Sequence, residues 1–341
     1  MYQEADQIKQ ILDDAQRIVV LQADNPDGDS LASALALEHI LGDLGKDVYL
    51  YCGMDMPAHL RYLPGWDRVN KDLASQFDAA IIVDTSSDRL FEILDKSGQK
   101  GWLKAKPIIV IDHHQTAATI DYAKVMCVHE AVSTGEVLYE LAQQLGWPLN
   151  QEAKNMLATS ILSDSLGLMT DATTSRSIRI IAELVEAGVK LPELDNQRRE
   201  LMRKTPEILS YKAQLIERIE YSSDGRVASV TIPWEEIEQY SHEYNPSILV
   251  LDEMRLVTGV DIAIAFKIYK DGKMTAKIRC NYGKPIGKDL AEHFGGGGHP
   301  YASGFKITDG RPANEVKSEC IDYARQLLDN LDKEPSDEPL Q

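Results

Sequence analysis

Carboxylates and imidazoles stand at four places where an apolar run of this chain stops. Asp24-Asn25-Pro26-Asp27-Gly28-Asp29-Ser30 follows RIVVLQA, Asp84 closes AAIIV, Asp112-His113-His114 closes PIIVI, and Asp164 follows the helical run NMLATSILS. Asp27 and Asp29, two apart in an extended loop, point to the same side. Gathering several carboxylates is unfavourable unless cations neutralise them. Oxygen donors with an occasional imidazole suit Mn²⁺ or Mg²⁺ better than a thiolate-preferring metal. Two such ions ~3.5–4 Å apart can activate a water and stabilise both the attacking and leaving oxygens of a phosphoryl displacement. Singly, each element has an ordinary explanation. Asp27-Gly28 makes a turn, Asp84 before Thr85-Ser86-Ser87 makes a helix cap, and adjacent histidines pack. Their joint placement at successive strand ends is what those explanations leave out.

The elements that must position these groups are legible as alternating strands and helices. RIVVLQA (17–23), DVYLYC (47–52), AAIIVD (79–84), PIIVID (107–112) and KVMCV (124–128) read as strands. Their near-continuous apolar character predicts a mainly parallel sheet covered on both faces. Helical patterns at 30–44, 133–146, 151–163 and 174–188 complete a doubly wound α/β lobe. Ligands of such sheets bind beyond the carboxyl ends of the strands, where the acids lie. From Leu191 to Ile219 the chain is charged and helix-prone. Strand patterns return at 226–232, 261–269 and 273–280, the last two flanking the hairpin turn Asp271-Gly272. Helical patterns at 287–294 and 313–331 make a smaller α/β lobe. The expected domains are therefore 1–190, a helical linker at 191–220, a second lobe at 221–331, and a polar, disordered tail at 332–341.

Composition narrows the partners. The chain has 341 residues, with 36 Lys and Arg against 54 Asp and Glu, a net charge of −18. That argues against sequence-independent binding of long duplexes, which needs a basic face. Short nucleotides, held by a few arginines, remain open. The start MYQEADQIKQ lacks a secretory pattern, and no apolar run approaches the ~18 residues of a membrane span. Cys52, Cys127, Cys280 and Cys320 are scattered, which suits a reducing cytosol. The expected location is cytoplasmic, with no membrane partner.

The motifs together resemble the DHH phosphoesterase superfamily. Asn25-Pro26-Asp27-Gly28-Asp29 resembles its first motif, Asp84 its second, Asp112-His113-His114 its third, and Ser163-Asp164-Ser165-Leu166-Gly167 its fourth. Gly295-Gly296-Gly297-Gly298-His299 with Ala302-Ser303-Gly304-Phe305 resembles the signature of the DHH-associated substrate-binding domain. Overall length looks like the branch of nano-RNases, pAp phosphatases and dinucleotide phosphodiesterases. The resemblance implies a hydrolase with up to two Mn²⁺ or Mg²⁺ ions. Asp27 would bind the first metal and Asp29 the second, Asp84 would bridge, and His113 and Asp164 would complete the second. His114 would lie nearer the scissile phosphate, and Asp112 would support the histidines. Gly296, Gly297, Gly298, His299 and Arg279 would hold substrate, with Arg176 able to reach a phosphate or else an exposed helix-start residue. One position departs from the pattern: Ala23 stands where the first motif has a histidine. A weaker first metal site is expected, with Gln22, Asp24 and His129 as candidate substitutes. The departure also motivates a nucleotide-binding sensor as the alternative, and shared metal chemistry a pyrophosphatase or polyphosphatase. Oligomeric state, including a homodimer, stays open.

Overall fold

Five short runs dominated by Val, Ile, Leu and Ala form one all-parallel sheet: β1 (Arg17–Leu21), β2 (Asp47–Tyr51), β3 (Ala79–Val83), β4 (Ile108–Asp112) and β5 (Val125–Val128), in the order β2-β1-β3-β4-β5. Branched side chains suit a pleated sheet buried on both faces. Ile18 and Val20 enter one apolar cluster while Val19 and Leu21 enter the other, as strand alternation requires. The helices of this unit are α1 (Ala5–Asp14), α2 (Gly28–Asp43), α3 (Glu92–Lys96), α4 (Lys100–Lys104), α5 (Thr134–Leu145), α6 (Gln151–Asp164), α7 (Ser175–Glu186) and α8 (Leu191–Leu201). Side chains of α1, α2, α5, α6 and α7 build the first cluster, and those of α3 and α4 join the second. Strand order reverses between β1 and β3, the position where an open α/β sheet forms its crevice.

The computed structural model describes residues 1–115, 117–201 and 203–333, and the chain divides into units Met1–Arg203 and Lys204–Gln341. In the second unit, α9 (Pro206–Glu217), α10 (Trp234–Tyr240), α11 (Pro246–Arg255), α12 (Gly287–His293) and α13 (Ala313–Leu331) accompany a mixed six-stranded sheet. Its strands are β6 (Glu220–Ser222), β7 (Val227–Ile232), β8 (Ile262–Ile268), β9 (Met274–Cys280), β10 (Gly297–His299) and β11 (Ala302–Ile307), ordered β10-β11-β9-β8-β7-β6. Only β7 and β8 are parallel among these pairs.

Some expectations shift. Segment 191–220, expected as a helical linker, holds the helix pair α8 and α9: Leu191 and Leu194 of α8 pack on the first unit's core, and Ile208, Tyr211 and Leu215 of α9 are core residues of the second. The amino-terminal helix α1 escaped the sequence reading, although Ile8, Ile11 and Leu12 form its buried stripe. Asp332, expected in the tail, caps α13 and pairs with Arg226 at 2.8 Å and Lys284 at 2.7 Å. Of that segment, 334–341 lies outside the described residues.

Candidate metal centre

Each acid is placed by a local device. Asp27 caps α2, its Oδ1 accepting the Ser30 N–H at 3.0 Å while Ser30 Oγ accepts the Asp27 N–H at 3.0 Å. Asp29 then falls in the first turn of α2, fully buried. Gly28 lets α2 close on α6, because a β-carbon there would stand 2.0 Å from Ser163 Oγ. Asp164, the last residue of α6, reaches the same end. Asp84 leaves β3 with φ +62°, a left-handed conformation uncommon outside glycine, while its N–H still bonds the Ile111 carbonyl at 3.0 Å. Asp112 ends β4, and its Oδ1 accepts the N–H groups of His113 and His114 at 2.8 and 3.1 Å and His114 Nδ1–H at 2.8 Å.

His113 is the centre of the arrangement. Its Nδ1 donates to the Ala131 carbonyl at 3.0 Å, so in the neutral ring Nε2 keeps its lone pair. That Nε2 stands 3.3 Å from Asp164 Oδ2, 3.5 Å from Asp84 Oδ1 and 3.6 Å from Asp29 Oδ2. It is buried with no hydrogen-bond partner. These gaps exceed the ~2.7–2.9 Å of a charge-assisted hydrogen bond. Ligand atoms each ~2.1 Å from a small cation and at right angles lie about 3 Å apart. The donor set therefore fits a hard divalent cation. Two groups that share His113 have their donor atoms within 4.8 Å of one another, Asp29–His113–Asp164 and Asp84–His113–His114, and a third group of the described residues, Glu4–Cys127–His129, meets the same distance without sharing a residue with them.

The electrostatics also call for a cation. Burial, and then Asp164, raise the Asp29 pKa above the usual carboxylate range. Burial, and then Asp29, raise Asp84 well above it. Burial alone would lower His113, but the Asp164 and Asp84 carboxylates override it and push the ring up to about 11. Against its own burial, Asp112 is held low by His114, which is raised in return.

A polar scaffold fixes Asp29. Its Oδ2 accepts the Thr134 N–H at 2.7 Å, the first orphan amide of α5, and its Oδ1 accepts Ser33 Oγ–H at 3.0 Å and the Ser160 hydroxyl. Thr134 Oγ1 also donates to Asp84 Oδ1 at 3.1 Å. Ser33 and Ser160 were missed by sequence reasoning. Each lies four residues from a site acid, one helical turn from Asp29 or Asp164, and that spacing was the available signal.

Other expected residues stand apart. Asp27 is exposed and outside both donor groups, although its charge contributes to raising Asp84. Ala23 is buried, its carbonyl accepting Cys52 Sγ–H at 3.3 Å. Asp24 Oδ2 accepts the Ile93 N–H at 2.8 Å. Gln22 is fully buried with neither amide atom partnered. His129 pairs with Glu4 at 3.1 Å and packs on Tyr2. Arg176 is neither exposed nor aimed at the acids: its guanidinium pairs with Glu136 at 3.0 Å and with Glu140, and donates to Tyr2 Oη at 2.7 Å.

In the second unit Arg279 and Gly295 to Gly298 line a cavity of ≈ 730 Å³ with Lys267, Lys277, Asn245 and Ser247. The glycine run is not a loose loop. Gly297, Gly298 and His299 pair with Gly304, Ser303 and Ala302 as the edge strand β10. Glycine is required there, since a β-carbon at Gly296 would lie 2.2 Å from the Gly304 carbonyl oxygen, and at Gly298 2.6 Å from Ser303 Cα. His299 is exposed.

Residues 17–173 match the DHH family, N-terminal domain, a span that contains every acid and histidine of the centre. The chain carries a DHH family domain. Two curated relatives bear the name bifunctional oligoribonuclease and PAP phosphatase NrnA. One, from Thermus thermophilus, is 26% identical over 89% of this chain and 88% of its own. The other, from Bacillus subtilis, is 24% identical over 85% and 89%. A crystal structure of an exopolyphosphatase-related protein from Bacteroides fragilis shares the fold across 96% of this chain and 97% of its own, with TM-score 0.80 and 20% identity. Among the described residues no helix is long and apolar enough to cross a membrane.

Proposed function

We propose that this protein is a metal-dependent phosphoesterase that hydrolyses short nucleotides: linear oligonucleotides of a few residues, nucleoside bisphosphates such as pAp, or dinucleotides. The observation that carries the reading is the buried, unpartnered Nε2 of His113 among the carboxylates of Asp29, Asp84 and Asp164. Bound there, Mn²⁺ or Mg²⁺ would supply Lewis-acid activation of a water and of a phosphoryl oxygen. Asp29, Asp84, His113 and Asp164 would hold a tight ion, and Asp27 with Asp84 a weaker one that Ala23 leaves short of a ligand.

The chain's own groups divide the remaining work. Thr134, Ser33 and Ser160 orient Asp29, and the Ala131 carbonyl fixes the His113 tautomer. His114, half exposed and backed by Asp112, presents an Nε2–H to a phosphate when its ring is protonated. Its raised pKa favours that form. Arg279 and the edge strand β10 offer the second unit's donors to an anionic group. The names of the relatives support the nucleotide class over pyrophosphate.

The test is turnover in Mn²⁺ on a panel of 5′-phosphorylated dinucleotides, pAp, cyclic dinucleotides, pyrophosphate and polyphosphate. Hydrolysis of the first three classes over the last two is expected. Preference for pyrophosphate or polyphosphate would replace this reading. Binding of nucleotides without turnover at saturating Mn²⁺ would favour a sensor.

A further inference from the structure

Cys127 and His129 stand two residues apart at the end of β5, the edge strand of the parallel sheet. The His129 N–H bonds the Asp112 carbonyl at 3.1 Å, which carries the β4–β5 ladder one residue beyond the strand. Alternation therefore puts both side chains on one face, where Cys127 joins the same cluster as the buried stripe of α1. Glu4 stands at the N-cap of α1, yet its side chain makes no capping bond. Glutamate is not among the residues favoured at that position. Its Oε2 instead meets His129 Nε2 at 3.1 Å. The Cys127 sulfur, one Glu4 oxygen and one His129 nitrogen all lie within 4.8 Å of one another.

An ion pair accounts for two of these groups but not for the third. Cys127 is fully buried, forms no disulfide and, among the described residues, makes no hydrogen bond. A buried thiol is at home among apolar groups, whereas this one also faces a carboxylate and an imidazole. Thiolate, imidazole and carboxylate are the donor types that zinc takes in tetrahedral sites, at ~2.0–2.3 Å. At that radius and angle the donor atoms stand ~3.3–3.6 Å apart, within the span of this group. Sulfur distinguishes the set from the Asp29–Asp84–His113–Asp164 centre, whose oxygen donors suit a harder ion. Glu4 and His129 are part-exposed, which leaves a path from solvent, and the Tyr2 ring packs on the imidazole with centroids 4.3 Å apart.

We propose that Glu4, Cys127 and His129 form a separate zinc site, with a water as the fourth ligand. The thiol proton leaves to solvent as the ion binds, and no other reactant is needed. The bound ion ties the start of α1 to the edge of the sheet. It also anchors a segment that leads to the carboxylate centre, since the Ala131 carbonyl, two residues beyond His129, receives His113 Nδ1–H at 3.0 Å. The site is independent of the phosphoesterase reading and stands or falls without it.

The test uses the full chain, stripped with chelator, reduced with a phosphine and titrated with Co²⁺ as a coloured stand-in for Zn²⁺. Excess Mn²⁺ occupies the carboxylate centre throughout. A thiolate-to-cobalt charge-transfer band should grow in to a single equivalent, and Zn²⁺ should displace it. The donor groups of the carboxylate centre contain no cysteine and cannot produce that band. Cys127→Ala should abolish it. His129→Gln, at a part-exposed position, should weaken Co²⁺ at least ~10-fold, because even the loss of a partner that only supports a ligand costs that much. Asp84→Ala should leave the band intact. A wild type without the band overturns the site, as does a band that survives Cys127→Ala or is undiminished in His129→Gln. If Cys127→Ala does not fold, the His129→Gln result decides. A band lost in Asp84→Ala would also overturn the site, by assigning the cobalt to the other centre.

Discussion

Gly28 and Ser163 touch so closely that a β-carbon on the glycine would lie 2.0 Å from Ser163 Oγ and 2.9 Å from its Cβ. This contact brings the first turn of α2, with Asp29, against the last turn of α6, with Asp164. The glycine of the first motif therefore serves helix packing as much as turn geometry. Gly28→Ala should destabilise by about 1–3 kcal/mol, the usual cost of overpacking, and weaken Mn²⁺ binding together with stability. Adding Ser163→Gly should return the metal affinity. Chemical denaturation and metal titration of the three proteins measure this. Unchanged affinity in Gly28→Ala would show that helix spacing does not set the site.

Asp84 combines a left-handed backbone with a buried carboxylate whose pKa its burial and Asp29 raise. Both features are unfavourable for folding and are retained where ligands are held. Asp84→Gly removes the charge and relaxes the backbone. The metal-free variant should gain on the order of 1–3 kcal/mol and turn over no phosphodiester. A thermal midpoint below the wild type's would refute the claim that this residue costs stability.

Metal binding should expel protons. In the metal-free protein Asp29, Asp84 and His113 all have raised pKa values, so the folded state binds more protons than the unfolded chain. The His113 contribution is fully present below its unfolded value of 6.5 and is lost as pH rises toward about 11. Metal-free stability should therefore fall as pH rises above 6.5, while Mn²⁺ affinity rises because its ligands must be deprotonated. Calorimetry in buffers of different ionisation heat counts the protons released. A count of zero near neutral pH, or an affinity flat with pH, would contradict the ligand set.

By the resemblance, Ala23 stands where the first motif has a histidine; Gln22, Asp24 and His129 lie outside the two donor groups that share His113, His129 belonging instead to a group with Glu4 and Cys127. Asp24 is engaged with Ile93, and His129 with Glu4 and Tyr2. Wild-type protein should show one tight and one weak Mn²⁺ site. Ala23→His should lower the Mn²⁺ concentration for half-maximal activity, by about tenfold for one added ligand interaction of ~1.4 kcal/mol. Two equally tight sites in the wild type, or a loss of activity in the variant, would show that the first site is already complete.

Much of the fold was legible because its strands are apolar throughout and its acids sit where those strands stop. β1 to β5 were locatable within two residues from Val and Ile runs alone, since burial on both faces leaves no polar alternation to confuse. Asp29, Asp84, His113 and Asp164 could be singled out because four costly groups at successive strand and helix ends have no common packing explanation. What the sequence could not determine depends on side-chain partners distant along the chain. Arg176 reads as an available cation, but Glu136, Glu140 and Tyr2 take its guanidinium. The glycine-rich segment 295–299 reads as a loop, but pairing with β11 makes Gly297–His299 an edge strand. Ser160 reads as one more helix serine, but its hydroxyl binds Asp29 from 131 residues away. Local patterning sets where an element forms and which face is apolar. Which polar groups become neighbours is decided by how those faces pack, and only the tertiary structure supplies that.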